Sequence, residues 1–324
     1  MNKSKLLFFL IMMYGTILTL SSNSWISMWM GMEMNMIAFI PLMNSKNKTS
    51  SEAMMIYLLV QSMSSMMFMF SIMMFNLTMY SMFMNMVTIS LLIKLGASPF
   101  HLWLPEILTK MSWTNSAILM TWQKIAPLSV LNNMVYDNKI MYLSIILCVS
   151  MGALGGLNQM SLRKIMGYSS INHLGWMLSL SKVKNNWMNY LIIYTIMVAM
   201  MCWMFHQYNM VHINQVNNMD MTLTEKMTYL MSMMSLGGLP PFLGFLPKWL
   251  TIQTLIMDKM YVMITIMIMC SLLSLFYYMR TMTKMMLSFS MMNKWVVTKS
   301  NMMIINMMTI VNMSLPLMLI MNMI

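Results

Sequence analysis

The sequence predicts an all-α membrane protein with about eleven transmembrane helices. Of its 324 residues, 59% are hydrophobic and only 8% are charged, whereas soluble domains carry about 25% charged residues. Uncharged apolar runs such as Met54–Phe75, Tyr261–Met279 and Met302–Ile324 recur along the whole chain. About 20 such residues form a helix long enough to cross the hydrocarbon core. The scarcity of charge disfavours the alternative of buried helices in a large soluble protein.

Polar connectors divide the chain into its predicted spans. None of them is long enough to form a soluble domain, so residues 1–324 are expected to form a single transmembrane domain. The spans fall at roughly 5–22, 25–43, 53–75, 79–97, 113–131, 140–158, 163–181, 187–209, 224–252, 260–284 and 302–323.

The composition excludes several classes of function. The net charge of +12 comes from single or paired basic residues at the ends of apolar runs, which is typical of membrane topology rather than nucleic-acid binding. The three cysteines, Cys148, Cys202 and Cys270, lie far apart in sequence, without the spacing of a zinc or iron–sulfur site. The chain has no dinucleotide fingerprint and no P-loop.

Methionine is unusually frequent, with 60 residues spread evenly along the chain. A copper site would require clustered methionines with histidine or cysteine, so the even spread argues against one. The bias instead indicates an A+T-rich gene translated with a code that assigns AUA to methionine, as in animal mitochondria.

The lysines and arginines predict the orientation of the chain, because positive residues concentrate on the side from which a membrane protein is inserted. With the N-terminus on the matrix side, that side carries most of the 19 basic residues. They are Lys3, Lys5, Lys46, Lys48, Lys110, Arg163, Lys164, Lys226, Arg280, Lys284, Lys294 and Lys299, against Lys139, Lys182, Lys184 and Lys259 on the other side. An odd number of spans then places the C-terminus in the intermembrane space.

Two segments interrupt the helical pattern. Residues 96–105 contain one glycine and two prolines, and residues 237–247 contain three glycines and three prolines within an apolar stretch too long for one straight helix. Proline removes a backbone donor and clashes with the preceding turn. In a bilayer, interrupted backbone persists only where protein or a water-filled cavity satisfies it. We therefore expect two broken helices, one beside Lys94 and one beside Lys248, as in inverted-repeat transporters.

Four charged residues fall inside apolar runs and are the main candidates for function: Glu33, Lys94, Lys124 and Lys248. A charge at the bilayer centre costs roughly 2.5–3.5 kcal/mol, so these side chains should face the bundle interior, form pairs or contact water. Burial disfavours the charged form of each group, which makes proton exchange accessible. The alternatives are snorkelling lysines near span ends and a purely structural ion pair at Glu33.

The histidines form a second group of candidates. His173 lies within a predicted span and is a fifth candidate for proton transfer. His101 lies in the first interrupted segment, and His206 and His212 flank the end of a span and are expected at the membrane surface.

Six ordered motifs between residues 24 and 249 resemble one known family, the antiporter-like second chain of mitochondrial complex I in its arthropod-like form. They are SWISMWMGMEMN (24–35), KLGASPFHLWLP (94–105), TWQKIAP (121–127), GGLNQMSLRK (155–164), SSINHLGW (169–176) and LGGLPPFLGFLPKW (236–249). Residues 250–324 match only in hydropathy.

The resemblance implies an antiporter-like inverted-repeat bundle that translocates protons across the mitochondrial inner membrane. It also implies that the energy comes from NADH-to-ubiquinone electron transfer in other subunits. The family's key glutamate matches Glu33. Its lysines on the first broken helix, at the centre and on the second broken helix match Lys94, Lys124 and Lys248. A stand-alone cation/proton antiporter and a purely structural membrane scaffold remain the alternatives.

The resemblance also implies what surrounds the chain. No cofactor is expected within it, because FMN, the iron–sulfur clusters, NADH and ubiquinone bind to other subunits of the complex. The expected partners are the neighbouring antiporter-like chain 4, the small chains 4L and 6, accessory subunits, and phospholipids such as cardiolipin. No nucleic acid is expected.

Overall fold

The computed structural model describes residues 3–44, 48–134, 139–183, 187–218, 222–287 and 302–315. Within these ranges all regular structure is helical, apart from one isolated bridge between Ser161 and His212. The prediction of an all-α chain is confirmed for this part of the protein. Four basic residues used in the orientation argument, Lys46, Lys184, Lys294 and Lys299, lie outside the described residues, as do both chain termini and the last part of the predicted span 302–323.

The helices group into two compact units, Met1–Cys148 and Val149–Ile324, and the division falls inside one helix. In chain order the first unit contains α1 (Lys3–Ser21), α2 (Trp25–Met43), α3 (Lys48–Thr78), α4 (Ser81–Leu95), α5 (Trp103–Lys110), α6 (Trp113–Met120), a 3₁₀ turn (Trp122–Lys124) and α7 (Ile125–Asn132). Helix α8 (Lys139–Gly156) contains the division.

The second unit contains α9 (Leu162–Val183), α10 (Trp187–Gln207), a 3₁₀ segment (Ile213–Asn218), α11 (Leu223–Gly237), α12 (Phe245–Met257), α13 (Tyr261–Leu287) and α14 (Met302–Asn312). Nearly every residue from 165 to 180 in α9 is buried, including several serines, Asn172 and His173. A helix enclosed by protein on all sides needs no lipid-facing apolar surface, so α9 can carry polar residues inward.

Six of the described helices are long and apolar enough to cross a membrane. They are Ser4–Ser21 within α1, α2, α3, α8, α10 and α13, and the shorter α4 is also apolar. The sequence predicts about eleven spans. The count beyond these six stays a prediction.

Within the predicted span 113–131 the backbone is not one continuous helix. The helix ends at Met120, a 3₁₀ turn covers Trp122–Lys124, and α7 begins at Ile125. Pro127 explains the irregularity, because it cannot donate a hydrogen bond to the carbonyl four residues earlier and its ring crowds that carbonyl. The tighter 3₁₀ turn accommodates the missing bond.

Outside the apolar helices, the end of α5 carries a small charged cluster. The Lys110 ammonium lies 3.1 Å from carboxylate oxygens of both Glu52 and Glu106. Both hydrogen bonds raise the pKa of Lys110, and the bond to Glu52 has the larger effect. Because the cluster is largely open to solvent, we expect it to contribute little to stability.

Candidate functional site

The first unit contains a buried ion pair between Glu33 and Lys94. The Lys94 Nζ lies 3.6 Å from the Glu33 Oε1, and the two side chains are 3% and 17% exposed. At this distance the charges attract each other without a close hydrogen bond. The structure therefore brings together two of the residues singled out from the sequence.

The end of helix α4 determines where Lys94 lies. The helix stops at Leu95, and Gly96 adopts a left-handed conformation with φ of 69°, which glycine accepts without the strain of a side chain. The last carbonyls of a helix have no partner within it. The Gln61 side-chain amide donates to the Lys94 carbonyl at 3.1 Å, which ties this helix end to α3.

Lys124 is buried at the junction of the 3₁₀ turn and α7, with 2% of its surface exposed. It shares a small cavity with Lys94, lined also by the polar side chains of Asn35, Tyr57 and Gln123. The centre of a water molecule has about 20 Å³ available there, which is enough for about one water. The cavity thus lies between the first and second lysines of the expected relay.

The second unit contains Lys248, which lies in the first turn of α12 and is 5% exposed. Its Nζ donates to the Gly237 carbonyl at 2.8 Å and lies 5.8 Å from the centre of the Trp176 ring. Helix α11 ends at Gly237, and the next residue, Gly238, caps it with a φ of 76°. A β-carbon at Gly238 would lie 2.8 Å from the Lys248 side chain. The interruption between α11 and α12 therefore provides both the space and the carbonyl that hold this ammonium.

His173 lies on the enclosed helix α9, three residues before Trp176, and is 3% exposed. Its Nδ1 lies 2.7 Å from the Tyr190 hydroxyl, and its ring centre lies 5.0 Å from that of Tyr194. An imidazole hydrogen-bonded to a phenol can accept a proton on one nitrogen and release one from the other. The geometry is compatible with proton transfer.

The burial of the three lysines argues against snorkelling, because their ammonium groups lie inside the protein and not at its surface. The other histidines differ from one another: His101 is buried, with its Nδ1 3.2 Å from the Pro99 carbonyl, while His206 and His212 are exposed. Among the residues that the structure describes, no three His, Cys, Asp or Glu side chains gather as metal ligands do.

Lys226 is a buried charge that sequence reasoning missed. The sequence analysis counts it among the basic residues of the matrix side, at the start of the predicted span 224–252, but it is 1% exposed in the first turn of α11. Thr222 caps this helix, and its side chain and backbone exchange hydrogen bonds with Glu225 in a capping box. The Ser/Thr-x-x-Glu pattern is readable in the sequence. Counting three and four residues onward from Lys226 reaches the buried Tyr229 and Leu230, so the helical period could have identified the position.

The uncharged polar residues of the cavity were also missed. Asn35, Tyr57, Gln61 and Gln123 lie inside apolar runs, where a neutral amide or phenol produces a much weaker hydropathy signal than a lysine. Tyr57 and Gln61 are four residues apart on the buried face of α3. Their helical spacing is the signal that could have found them.

Residues 22–274 match the model of a protein family described as NADH:quinone oxidoreductase/Mrp antiporter, TM. Curated relatives named NADH-ubiquinone oxidoreductase chain 2 cover most of the chain. The relative from Anopheles gambiae is 44% identical over 287 residues, which is 85% of this chain and 83% of that protein. The relative from Oryctolagus cuniculus is 40% identical over 282 residues, or 82% of this chain and 81% of that protein.

Solved structures share the fold at low sequence identity. A chain of respiratory complex I from Thermus thermophilus superposes with a TM-score of 0.84 and 20% identity, covering 97% of this chain and 78% of that one. A chain of an Mrp complex from Dietzia sp. superposes with a TM-score of 0.76 and 16% identity, covering 86% of this chain and 59% of that one.

Proposed function

The chain belongs to the NADH:quinone oxidoreductase/Mrp antiporter family, and we propose that its buried glutamate and lysines carry protons across the membrane while quinone is reduced elsewhere. It is a multi-pass, proton-translocating membrane-arm subunit of an NADH:ubiquinone oxidoreductase, respiratory complex I. The residues that perform the transfer, their order and the setting of the complex are the parts that we infer.

The observation that carries the proposal is the Glu33–Lys94 pair next to a cavity that also reaches Lys124. Burying an ammonium group costs free energy, because it loses its hydration. Replacing such a lysine with an apolar residue would remove this cost, so a purely structural scaffold would gain nothing from keeping it. A relay, in contrast, needs groups that can both hold and release a proton.

The mechanism follows from changes in one ion pair. While Glu33 lies close to Lys94, its negative charge favours the protonated lysine. When the pair loosens during turnover, Lys94 releases its proton toward Lys124, and Lys124 becomes the charged partner. Lys248 in the second unit then exchanges a proton with the opposite side of the membrane, and His173 takes part in the transfer. The groups titrate as a coupled set, so no single group sets the pH dependence.

The remaining features of the proposal concern the setting of the chain. We place it in the mitochondrial inner membrane as one transmembrane antiporter-like domain of about eleven helices, built as an inverted repeat with two broken helices. The N-terminus faces the matrix and the C-terminus the intermembrane space. FMN, iron–sulfur clusters, NADH and ubiquinone bind to other subunits. The partners are chain 4, chains 4L and 6, accessory subunits, and phospholipids such as cardiolipin.

Separation of native complexes tests membership in the assembly. Mitochondrial membranes are solubilised gently, complexes are separated by size, and the proteins that migrate with this chain are identified. We expect co-migration with NADH-oxidising activity and with flavin- and iron–sulfur-containing subunits. Migration alone, or as a small homo-oligomer, would overturn the assignment and favour a stand-alone cation/proton antiporter.

Replacement of Lys248 tests the relay in the second unit. In a genetically tractable relative, the matching Lys248→Met complex is reconstituted in vesicles and compared with Lys259→Met, which removes an exposed lysine of the same unit. We expect Lys248→Met to lose proton pumping and Lys259→Met to retain it. If the Lys248→Met complex assembles, oxidises NADH and pumps protons fully, this lysine has a packing role and no role in proton transfer.

A further inference from the structure

We propose that Gln123 is a positioning residue that orients water between Lys94 and Lys124 and thereby controls proton transfer between these two lysines. The inference rests on the proposed function, since it concerns the step between two groups of the same relay.

The Gln123 side chain is held from two directions. Its Nε2 donates to the Asn35 Oδ1 at 3.0 Å, and its Oε1 accepts from the Tyr57 hydroxyl at 3.3 Å. Asn35 and Tyr57 are 3% and 2% exposed and belong to α2 and α3. Because both ends of the amide are bonded to different helices, its plane has a defined orientation.

Gln123 lies where the orientation of its amide can affect both lysines. It immediately precedes Lys124 in the 3₁₀ turn and lines the cavity that Lys94 and Lys124 share. Asn35 lines the same cavity as Lys94 and Lys124, so the amide network reaches the lysine of the ion pair as well as the second lysine. A buried water makes about three hydrogen bonds to polar groups. The two lysines and the amide network supply such groups around a space that fits about one water.

A water in this cavity can act as the intermediary for proton transfer between the two lysines. A proton leaves the Nζ of one lysine for the water oxygen, and a different proton leaves the water for the Nζ of the other lysine. The amide of Gln123 neither gains nor loses a proton. Its Nε2 already donates to the Asn35 Oδ1 and to the Met12 Sδ, so the amide acts through its Oε1. This oxygen accepts one O–H of the water, which leaves the other O–H for one lysine and a lone pair for the other, and orientation of this kind contributes to rate through geometry alone.

Substitutions that keep or remove polarity test the inference in the assembled complex of a tractable relative. Gln123→Leu removes the amide at similar size, and Gln123→Asn keeps an amide, one methylene shorter, without adding a charge. Asn115→Leu is the matched control, because the Asn115 amide donates to a backbone carbonyl at 2.9 Å and does not line the cavity. The readouts are the rate of NADH-driven pumping, its pH profile and its solvent deuterium isotope effect.

We expect Gln123→Leu to pump about tenfold more slowly, which corresponds to about 1.4 kcal/mol in the barrier, with a larger isotope effect and a shifted pH profile. Gln123→Asn should recover part of the rate, and Asn115→Leu should match the unaltered protein. Equal losses in Gln123→Leu and Asn115→Leu, with unchanged isotope effects, would reduce Gln123 to a packing role and overturn the inference.

Failure of this inference is distinguishable from failure of the relay. Normal pumping in Gln123→Leu together with lost pumping in Lys124→Met would overturn the role of Gln123 and leave the proposed function intact. Normal pumping in both variants would overturn both proposals. If Gln123→Leu does not assemble, Tyr57→Phe removes one hydroxyl from the same network, and an unaltered rate and isotope effect in that variant would contradict the inference.

Discussion

Neutralising Glu33 should uncouple the first step of proton transfer, and the structure supplies the expected magnitude. Two unit charges 3.6 Å apart, as Glu33 and Lys94 are, attract each other by about 4.6 kcal/mol at an effective dielectric constant of about 20. In Glu33→Gln this attraction is absent, so a nearby negative charge no longer stabilises the protonated form of Lys94. Because about 1.36 kcal/mol corresponds to a factor of ten in proton binding, the affinity of Lys94 for its proton falls by up to about three powers of ten.

The assay is proton uptake into vesicles that contain the reconstituted complex, followed with a pH-sensitive dye after NADH addition. We expect Glu33→Gln to pump at least about tenfold more slowly, with the assembled complex still present. Glu106→Gln is the control, because it removes a carboxylate from the exposed cluster at Lys110. A Glu33→Gln complex that pumps as fast as the control would refute the role of the ion pair.

Three further substitutions test other parts of the structure. Gly238→Ala should destabilise the protein by about 1–2 kcal/mol because of the positive φ at this position, and it should displace the Lys248 side chain. Gly237→Ala is the control, because a β-carbon there would make only an ordinary contact at 3.6 Å. Thermal unfolding should show a smaller loss of stability in this control. Thr222→Ala should cost about 1 kcal/mol by removing a helix cap, measurable in the same experiment. Two exposed glutamates raise the pKa of Lys110. Their interaction with the charged lysine therefore stabilises the folded protein at neutral pH, and this stabilisation is lost as pH rises through the pKa of Lys110. In Lys110→Met, this loss at alkaline pH should disappear from the pH profile of thermal stability.

The all-α fold was predictable because a bilayer accepts few alternatives. Backbone groups in lipid must be satisfied within the segment, so long uncharged runs such as those of α3 and α13 specify helices almost by themselves. The irregularity before α7 was not predicted. It depends on how Pro127 and the preceding carbonyls are accommodated, which hydropathy does not report.

The candidate site was predictable to the extent that charge marks it. Glu33, Lys94, Lys124 and Lys248 stand out because charged groups in apolar runs are costly, and all four have counterparts in the resemblance to complex I. Their distances from one another could not be predicted. The separation within the Glu33–Lys94 pair depends on how α2 and α4 pack, and pattern alone does not specify that packing.

Neutral polar groups carried too little signal to be found. Gln123 adds one amide to an apolar stretch, and only the structure shows that this amide joins Asn35 to Tyr57. Lys226 was missed for a different reason. At the start of the predicted span 224–252 it was counted as a basic residue of the matrix side, whereas the capped helix α11 turns it inward.

The number of protons translocated per NADH oxidised in a Lys124→Met complex tests the central claim most directly. The measurement compares this variant with Lys139→Met, which removes an exposed lysine from the start of α8, at equal rates of quinone reduction. A buried relay predicts fewer protons per NADH in Lys124→Met and an unchanged ratio in Lys139→Met. The same ratio in both variants, with both complexes assembled, would contradict proton transfer through Lys124.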